Sequence, residues 1–168
     1  MARSDSFFIR ATVLTDTTNF NQESIDLGSF VDALGKTILR IHNVSTIYGS
    51  PLNGVTIPGA AADASCGWQL TTQSQTDLVG AANRSTISSG TLLVAGAGAP
   101  NNELSVLSES LDIAPQEWTG GYLVAVESIF LGVDQSIVDV VDEVTIVLEC
   151  TVETMTASAS MALALSQQ

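Results

Sequence analysis

Thr119-Gly-Gly-Tyr-Leu-Val-Ala-Val-Glu-Ser-Ile-Phe-Leu-Gly-Val133 and Glu143-Val-Thr-Ile-Val-Leu-Glu-Cys-Thr-Val-Glu-Thr-Met155 are the two runs from which the architecture is read. In the second, Val144, Ile146, Leu148, Cys150 and Val152 recur at every second position. Thr145, Glu149, Thr151 and Glu153 take the other face, with Val147 the one apolar intruder. That period belongs to a strand with one side in a core and one in water. β-branched residues dominate both runs, and neither has the three-to-four spacing of a helix. Thr119-Gly-Gly marks a turn, and the acidic connection Asp134 to Asp142 separates the runs. Together they read as a long antiparallel pair, Tyr122–Val133 against Val144–Met155, well beyond the usual ~5–6 residue strand.

Working outward, Ser6–Leu14 reads as the first strand. Phe7, Ile9, Ala11 and Val13 form its apolar side; Phe8, Arg10, Thr12 and Leu14 form the other. A short extended piece, Glu23–Gly28, follows. Ser29 is placed to cap a single helical turn, Phe30–Leu34, closed by Gly35. Lys36–Tyr48 is a second long strand, with Leu39, Ile41 and Ile47 on one face and Ile38, Arg40, His42 and Val44 on the other. Gly49–Ser65 is expected to be an ordered surface loop, a kind of segment that tends to be functional or to contact neighbours. Cys66–Thr76, Ser85–Ala97 and Leu104–Ile113 complete the extended segments, the last as one broken or two short strands. Trp118 is expected to cover the end of the core, and Thr156–Gln168 to be a light tail.

Connections too long for hairpins argue for strands that cross between two sheets. Asn53-Gly54 is the only hairpin signal of the Asn-Gly kind, and no internal repeat appears. The fold class is therefore all-β: an eight-stranded jelly-roll β-sandwich of two packed antiparallel sheets with Greek-key connections and at most one short helix. Residues 1–156 are expected to form this domain, and 157–168 a C-terminal tail that is a candidate inter-subunit contact.

The composition fits. The chain has 168 residues, enough for one core, and 45% of them are hydrophobic. Eighteen acidic residues against five basic ones give a net charge of -13. Such a surface repels phosphate, and no basic arm precedes the first strand, so direct nucleic-acid binding is not expected. Cys66 and Cys150 are too few for a disulfide framework, and Cys150 falls on the apolar face of its strand. No signal peptide is expected, because Phe7-Phe8-Ile9 is short and Arg10 interrupts it, and no window of the sequence reaches ~18–20 apolar residues.

No cluster of residues announces a reaction. His42 is the only histidine, and no nucleophile or orienting carboxylate stands at a recognisable spacing from it. Asp134, Asp139, Asp142 and Glu143 form the densest acidic group and are candidates for a structural cation, because calcium takes six to eight oxygen ligands. Their spacing is not that of an EF-hand, and a solvated loop is the plainer reading. Gly96-Ala-Gly-Ala-Pro100 lacks the lysine and following helix of a phosphate cradle and reads as a turn. Catalytic residues, cofactor and resident metal are all expected to be none.

Three stretches carry a family resemblance: Phe7–Val13, Ile25–Val44, and the pair Tyr122–Val133 with Val144–Met155. They span a little under a third of the chain. In size, strand order and texture the sequence resembles viral capsid subunits of the single jelly-roll type. In lacking a basic arm it is similar to the small capsid subunits of icosahedral, membrane-containing archaeal or bacterial viruses. The resemblance implies a structural virion protein, assembled in the host cytoplasm into homo-oligomers. Its implied partners are other capsid subunits, with an internal membrane nearby and no direct contact with the genome. A β-sandwich binding module, taking a glycan or receptor as on a phage fibre, is the alternative. A cupin-like enzyme is disfavoured by the single histidine.

Overall fold

The alternation read in the second run persists into the structure. In the computed structural model, which describes residues 4–15, 19–32, 36–52, 63–96, 104–136 and 140–168, Val144, Ile146, Leu148 and Cys150 are fully buried. They lie on β9 (Glu143–Thr154). Antiparallel to it on one side runs β1 (Phe7–Leu14), with Ile9 opposite Leu148 and Val13 opposite Val144. On its other side runs β3 (Thr37–Tyr48). The short β7 (Tyr122–Val124) closes this first sheet in the order β1-β9-β3-β7.

The second sheet holds β2 (Asn21–Asp26), β8 (Ser128–Gln135), β4 (Ala64–Thr71), β5 (Thr86–Gly96) and β6 (Leu104–Ile113), in the order β2-β8-β4-β5-β6. Apart from the steps β4–β5 and β5–β6, each successive strand lies in the opposite sheet, which is the jelly-roll path. Each inner face contributes aliphatic side chains to one core, and Trp68, 1% exposed, is the largest residue in it.

The expected strand Tyr122–Val133 divides. Its first three residues pair with β3 in sheet one, and the rest, as β8, lies between β2 and β4 in sheet two. The expected pair with Val144–Met155 therefore does not form; β9 is flanked by β1 and β3. Hydrogen bonding at the crossing explains the break. The Ala125 N–H is taken by the Gln167 side chain at 2.9 Å instead of a neighbouring strand. The Glu127 carbonyl then accepts from the Leu27 N–H at 2.8 Å as the chain enters the second layer. This division raises the strands from the expected eight to nine among the described residues, with β6 an added edge beside the eight of a jelly roll.

Other boundaries move for local reasons. A β-bulge between Ile41 and Asn43 reverses the facing of β3 beyond it. Val44 thus joins Leu39 and Ile41 inside, while Ile47 turns outward and is 53% exposed. Where a helical turn was expected at Phe30–Leu34, the Phe30 and Val31 N–H groups bond back to the Leu27 carbonyl. This is a turn over Gly28–Phe30, and residues 33–35 lie outside the described residues. Trp118 does not seal the core; it is 45% exposed and leans on the Tyr122 ring. The strand expected at Cys66–Thr76 is β4, which ends at Thr71, and Leu104–Ile113 is one strand with register shifts where it pairs β5. Most of the Gly49–Ser65 loop, and the Ala97–Pro100 turn, lie outside the described residues.

The light tail is the helix α1 (Ala157–Ser166), capped by the Thr156 hydroxyl. It lies on the outer side of sheet one, where Ala164 packs with Ile38 and Ala125. Ile38 is an outward position on β3 that this helix buries completely.

Candidate functional site

Of the four acidic candidates, three are described, and Asp134 lies in a different sheet from Glu143 and the Asp142 before it. Asp134 sits in β8 of sheet two, where its Oδ1 accepts from the Gln135 N–H at 2.7 Å. Glu143 opens β9 in sheet one, opposite Leu14. Asp142 precedes it, its backbone carbonyl accepting from Thr15. Asp139 lies outside the described residues. Among the described residues, no three His, Cys, Asp or Glu side chains converge as metal ligands would.

His42 stands at the bulge of β3 on the outer face of sheet one, with its Nε2 2.9 Å from the Thr151 hydroxyl. One step back, Arg40 makes a forked pair with Glu153, Nε to Oε1 at 2.7 Å and one terminal nitrogen to Oε2 at 2.8 Å. Its other terminal nitrogen donates to the Gly120 carbonyl. The Glu153 side chain is 6% exposed and that of Arg40 18%. Hydrogen bonding to Glu153 holds the guanidinium above its usual pKa against the opposing effect of burial. This is a planar carboxylate clasp of the sort arginine suits. It ties β3, β9 and the turn before β7 into one unit.

Cys66 and Cys150 are free and buried. Burial pushes each thiol up to about 12, so both are neutral and poor nucleophiles at physiological pH.

Sequence reading passed over the glutamines. Gln69, 1% exposed, faces outward from sheet two, yet its amide donates to the Asp77 carbonyl at 3.0 Å and accepts from the Val79 N–H at 2.6 Å. It thereby pins the loop after β4 flat on the sheet. Gln116 treats Val44 in the same way, accepting from its N–H at 3.2 Å and donating to its carbonyl at 3.1 Å. Gln167 does so for the crossover, donating to the Leu123 carbonyl at 2.6 Å while accepting from Ala125. A carboxamide has the donor and acceptor of a peptide group, so each side chain stands in for a missing strand neighbour. The signal was present: Gln69 lies between Trp68 and Leu70, in a run with no other reason to be polar.

The loops settle on glycines. A Cβ on Gly132 would come within 2.6 Å of the Phe20 ring, and one on Gly67 within 2.8 Å of a Leu78 methyl. The outer face of sheet two is thus covered over β8 and β4, while over β5 Leu93 stays 50% exposed. Open surface is concentrated at the lateral edges. β1 ends sheet one, with Phe8 56% and Leu14 66% exposed; β6 ends sheet two, with Leu107 55% and Leu111 38% exposed.

No protein-family model and no curated protein matches the chain. Among solved structures it is similar to the unassembled KI polyomavirus VP1 pentamer, with 9% identity over 90% of this chain and 95% of that one, at a TM-score of 0.52. The unassembled Washington University polyomavirus VP1 pentamer follows with 11% identity, a TM-score of 0.48 and 82% and 77% of the two chains covered. Turnip yellow mosaic virus gives 12% identity, a TM-score of 0.38 and coverage of 90% and 93%. At such identities the likeness is one of fold: this chain carries the jelly roll also found in viral capsid proteins.

Proposed function

We infer that this chain is a structural virion protein, a capsid subunit that assembles with copies of itself and with other subunits and catalyses nothing. The observation that carries the reading is the strand order β1-β9-β3-β7 over β2-β8-β4-β5, a jelly roll with a solid apolar interior, in a fold shared with a protein known as a pentamer. Function in such a body lies on its outside. The one histidine is tied to Thr151, and the buried polar side chains of Gln69 and Gln167 serve backbone groups.

The excess of carboxylates over bases favours a shell that does not touch the genome. This fits the finer reading, a small subunit of a membrane-containing icosahedral virus assembled in the host cytoplasm. Residues 157–168 are part of the proposal as an inter-subunit contact. Met161 and Leu165, one helical turn apart, are 49% and 65% exposed on α1, and a second copy is the surface proposed to cover them.

Negative-stain microscopy of the purified chain tests this. Shells, rings or capsomers are expected. A protein that stays monomeric at every concentration and salt, or that binds a glycan as a discrete oligomer without ever forming a shell, overturns the assignment.

A further inference from the structure

The edges formed by β1 and by β6 lie on opposite flanks of the sandwich, and their side chains match. On β1 the outward residues in order are Phe8, Arg10, Thr12 and Leu14, all exposed. On β6 the residues paired to the inward positions Gly90, Leu92 and Val94 of β5 are Leu111, Glu109 and Leu107. These point the way the core does, but sheet one has four strands to sheet two's five, and its β7 has only three residues. β6 therefore overhangs, and Leu107, Glu109 and Leu111 are exposed on it.

Charge sharpens the match. All five basic residues of the chain fall at or before Arg84, and Arg10 is the one on β1. Its guanidinium lies near the Phe8 ring, 6.0 Å from the centroid, and among the described residues it has no carboxylate partner. Glu109 likewise has no basic partner among them.

Resting on the reading of the chain as a self-assembling subunit, we propose that β1 of one copy adds antiparallel to the free edge of β6 in the next, with Arg10 opposite Glu109. That register sets Phe8 against Leu111 and Thr12 against Leu107. It joins an aromatic to an aliphatic side chain and a cation to an anion on one face of a continuous sheet. A one-residue slip would move Arg10 and Phe8 onto the serines of β6, at positions 108 and 110, so the pattern selects the register. Edges left open in this way are templates for pairing with another chain. The contact is head-to-tail, since the two patches differ. Repeated copies therefore close into a ring or continue as a helix, depending on the rotation per step. Sheet one of each copy continues sheet two of its neighbour, so successive subunits step by one layer.

The test uses the full chain with Arg10→Glu and Glu109→Lys, singly, mixed and combined, followed by sedimentation velocity. Both positions are exposed, and circular dichroism and melting verify that each variant folds. Each single variant is expected to associate roughly tenfold or more weakly, because like charges then face each other. The double variant should recover the wild-type oligomer. An equimolar mixture of the two single variants should recover association in alternating order, since every contact then pairs opposite charges. Phe8→Cys with Leu111→Cys should give inter-copy disulfides under mild oxidation, as directly opposed antiparallel residues lie within the reach of such a bond. If wild type assembles while single variants match it and no cross-link forms, this contact is wrong and the capsid reading stands. If wild type stays monomeric, both fall.

Discussion

Gly121 rests directly on the backbone of Ile41: a Cβ there would overlap the Ile41 carbonyl oxygen, and the Gly121 backbone already lies at φ +63°. The contact brings Tyr122 onto the edge of β3 opposite Ile41, immediately before the chain crosses to the second sheet. Gly121→Ala therefore adds a left-handed penalty and a backbone clash at once. A loss of about 2–4 kcal/mol is expected, combining roughly 1–3 kcal/mol for the strained backbone with the displacement of β7. Gly132→Ala makes the control. Its added methyl meets the tip of the Phe20 ring, which can swing outward, so the cost should be clearly smaller. Equal losses in urea denaturation would show that β7 does not depend on this contact.

The glutamine clasps predict local, separable effects. Gln69→Leu keeps the volume but strands the Val79 N–H and the Asp77 carbonyl. Leaving such groups unpaired costs about 1–3 kcal/mol, or less if the loop lifts into water. Limited proteolysis tells the two apart: a lifted loop is cut between β4 and β5 while the sheets survive. An unchanged digest with unchanged melting would mean the amide bonds contribute nothing.

At the other end of the molecule, Gln167→Ala should loosen the crossover without unfolding it. The Ala125 N–H loses its acceptor and the Leu123 carbonyl its donor, so hydrogen exchange at Ala125 should accelerate by more than at Leu148 in the core. Deleting residues 157–168 would also uncover Ile38, which α1 buries completely. Such a truncation therefore lowers stability as well as removing a proposed contact. Met161→Lys with Leu165→Lys, confined to exposed side chains, is the cleaner probe of assembly.

The strands were legible where one face meets the core and the other meets water, as on β1 and β9. The crossover was passed over because apolar residues fill both Tyr122–Val126 and Ile129–Val133. Its one mark is the polar pair Glu127-Ser128 between them, of which Glu127 is exposed at the bend before β8. The bulge at His42 carries no glycine; its one mark is the polar pair His42-Asn43, which breaks the alternation between Ile41 and Val44. α1 escaped notice for a different reason: it approaches the sheet through Ser160 and Ala164, and small residues draw no apolar stripe. His42 shares its strand face with Arg40, as the alternation before the bulge indicates. Of the acidic group, Asp134 lies on β8 in sheet two and Glu143 on β9 in sheet one, a separation that spacing along the chain does not reveal.

Arg40 and Glu153 offer a sharper energetic test. With the Glu153 side chain only 6% exposed, removing Arg40 strips a nearly buried carboxylate of its forked guanidinium pair. Arg40→Met should cost about 3–5 kcal/mol, the usual range for breaking a buried pair from one side. Replacing both residues, Arg40→Met with Glu153→Gln, should recover much of that loss, because the penalty is desolvation and not lost attraction. A double variant as unstable as the sum of the single changes would mean the pair does not act as a unit.

The last prediction concerns alkaline pH. Cys66 and Cys150 have their thiols raised by burial from 9.0 to about 12. Between these values the unfolded chain loses the thiol protons while the folded one keeps them, so the unfolded state binds fewer protons and stability falls as pH rises. The contribution of both thiols is constant below the unfolded value and declines from about pH 9 upward. Urea midpoints should therefore drop through that window by more in the wild type than in a Cys66→Ala, Cys150→Ala variant, each compared with its own midpoint at pH 7. The same burial predicts that an aromatic disulfide reagent at pH 8 labels neither thiol until urea unfolds the chain. Rapid labelling of folded protein would show that one of the inner faces opens to solvent, and the solid interior on which the assembly reading rests would have to be abandoned.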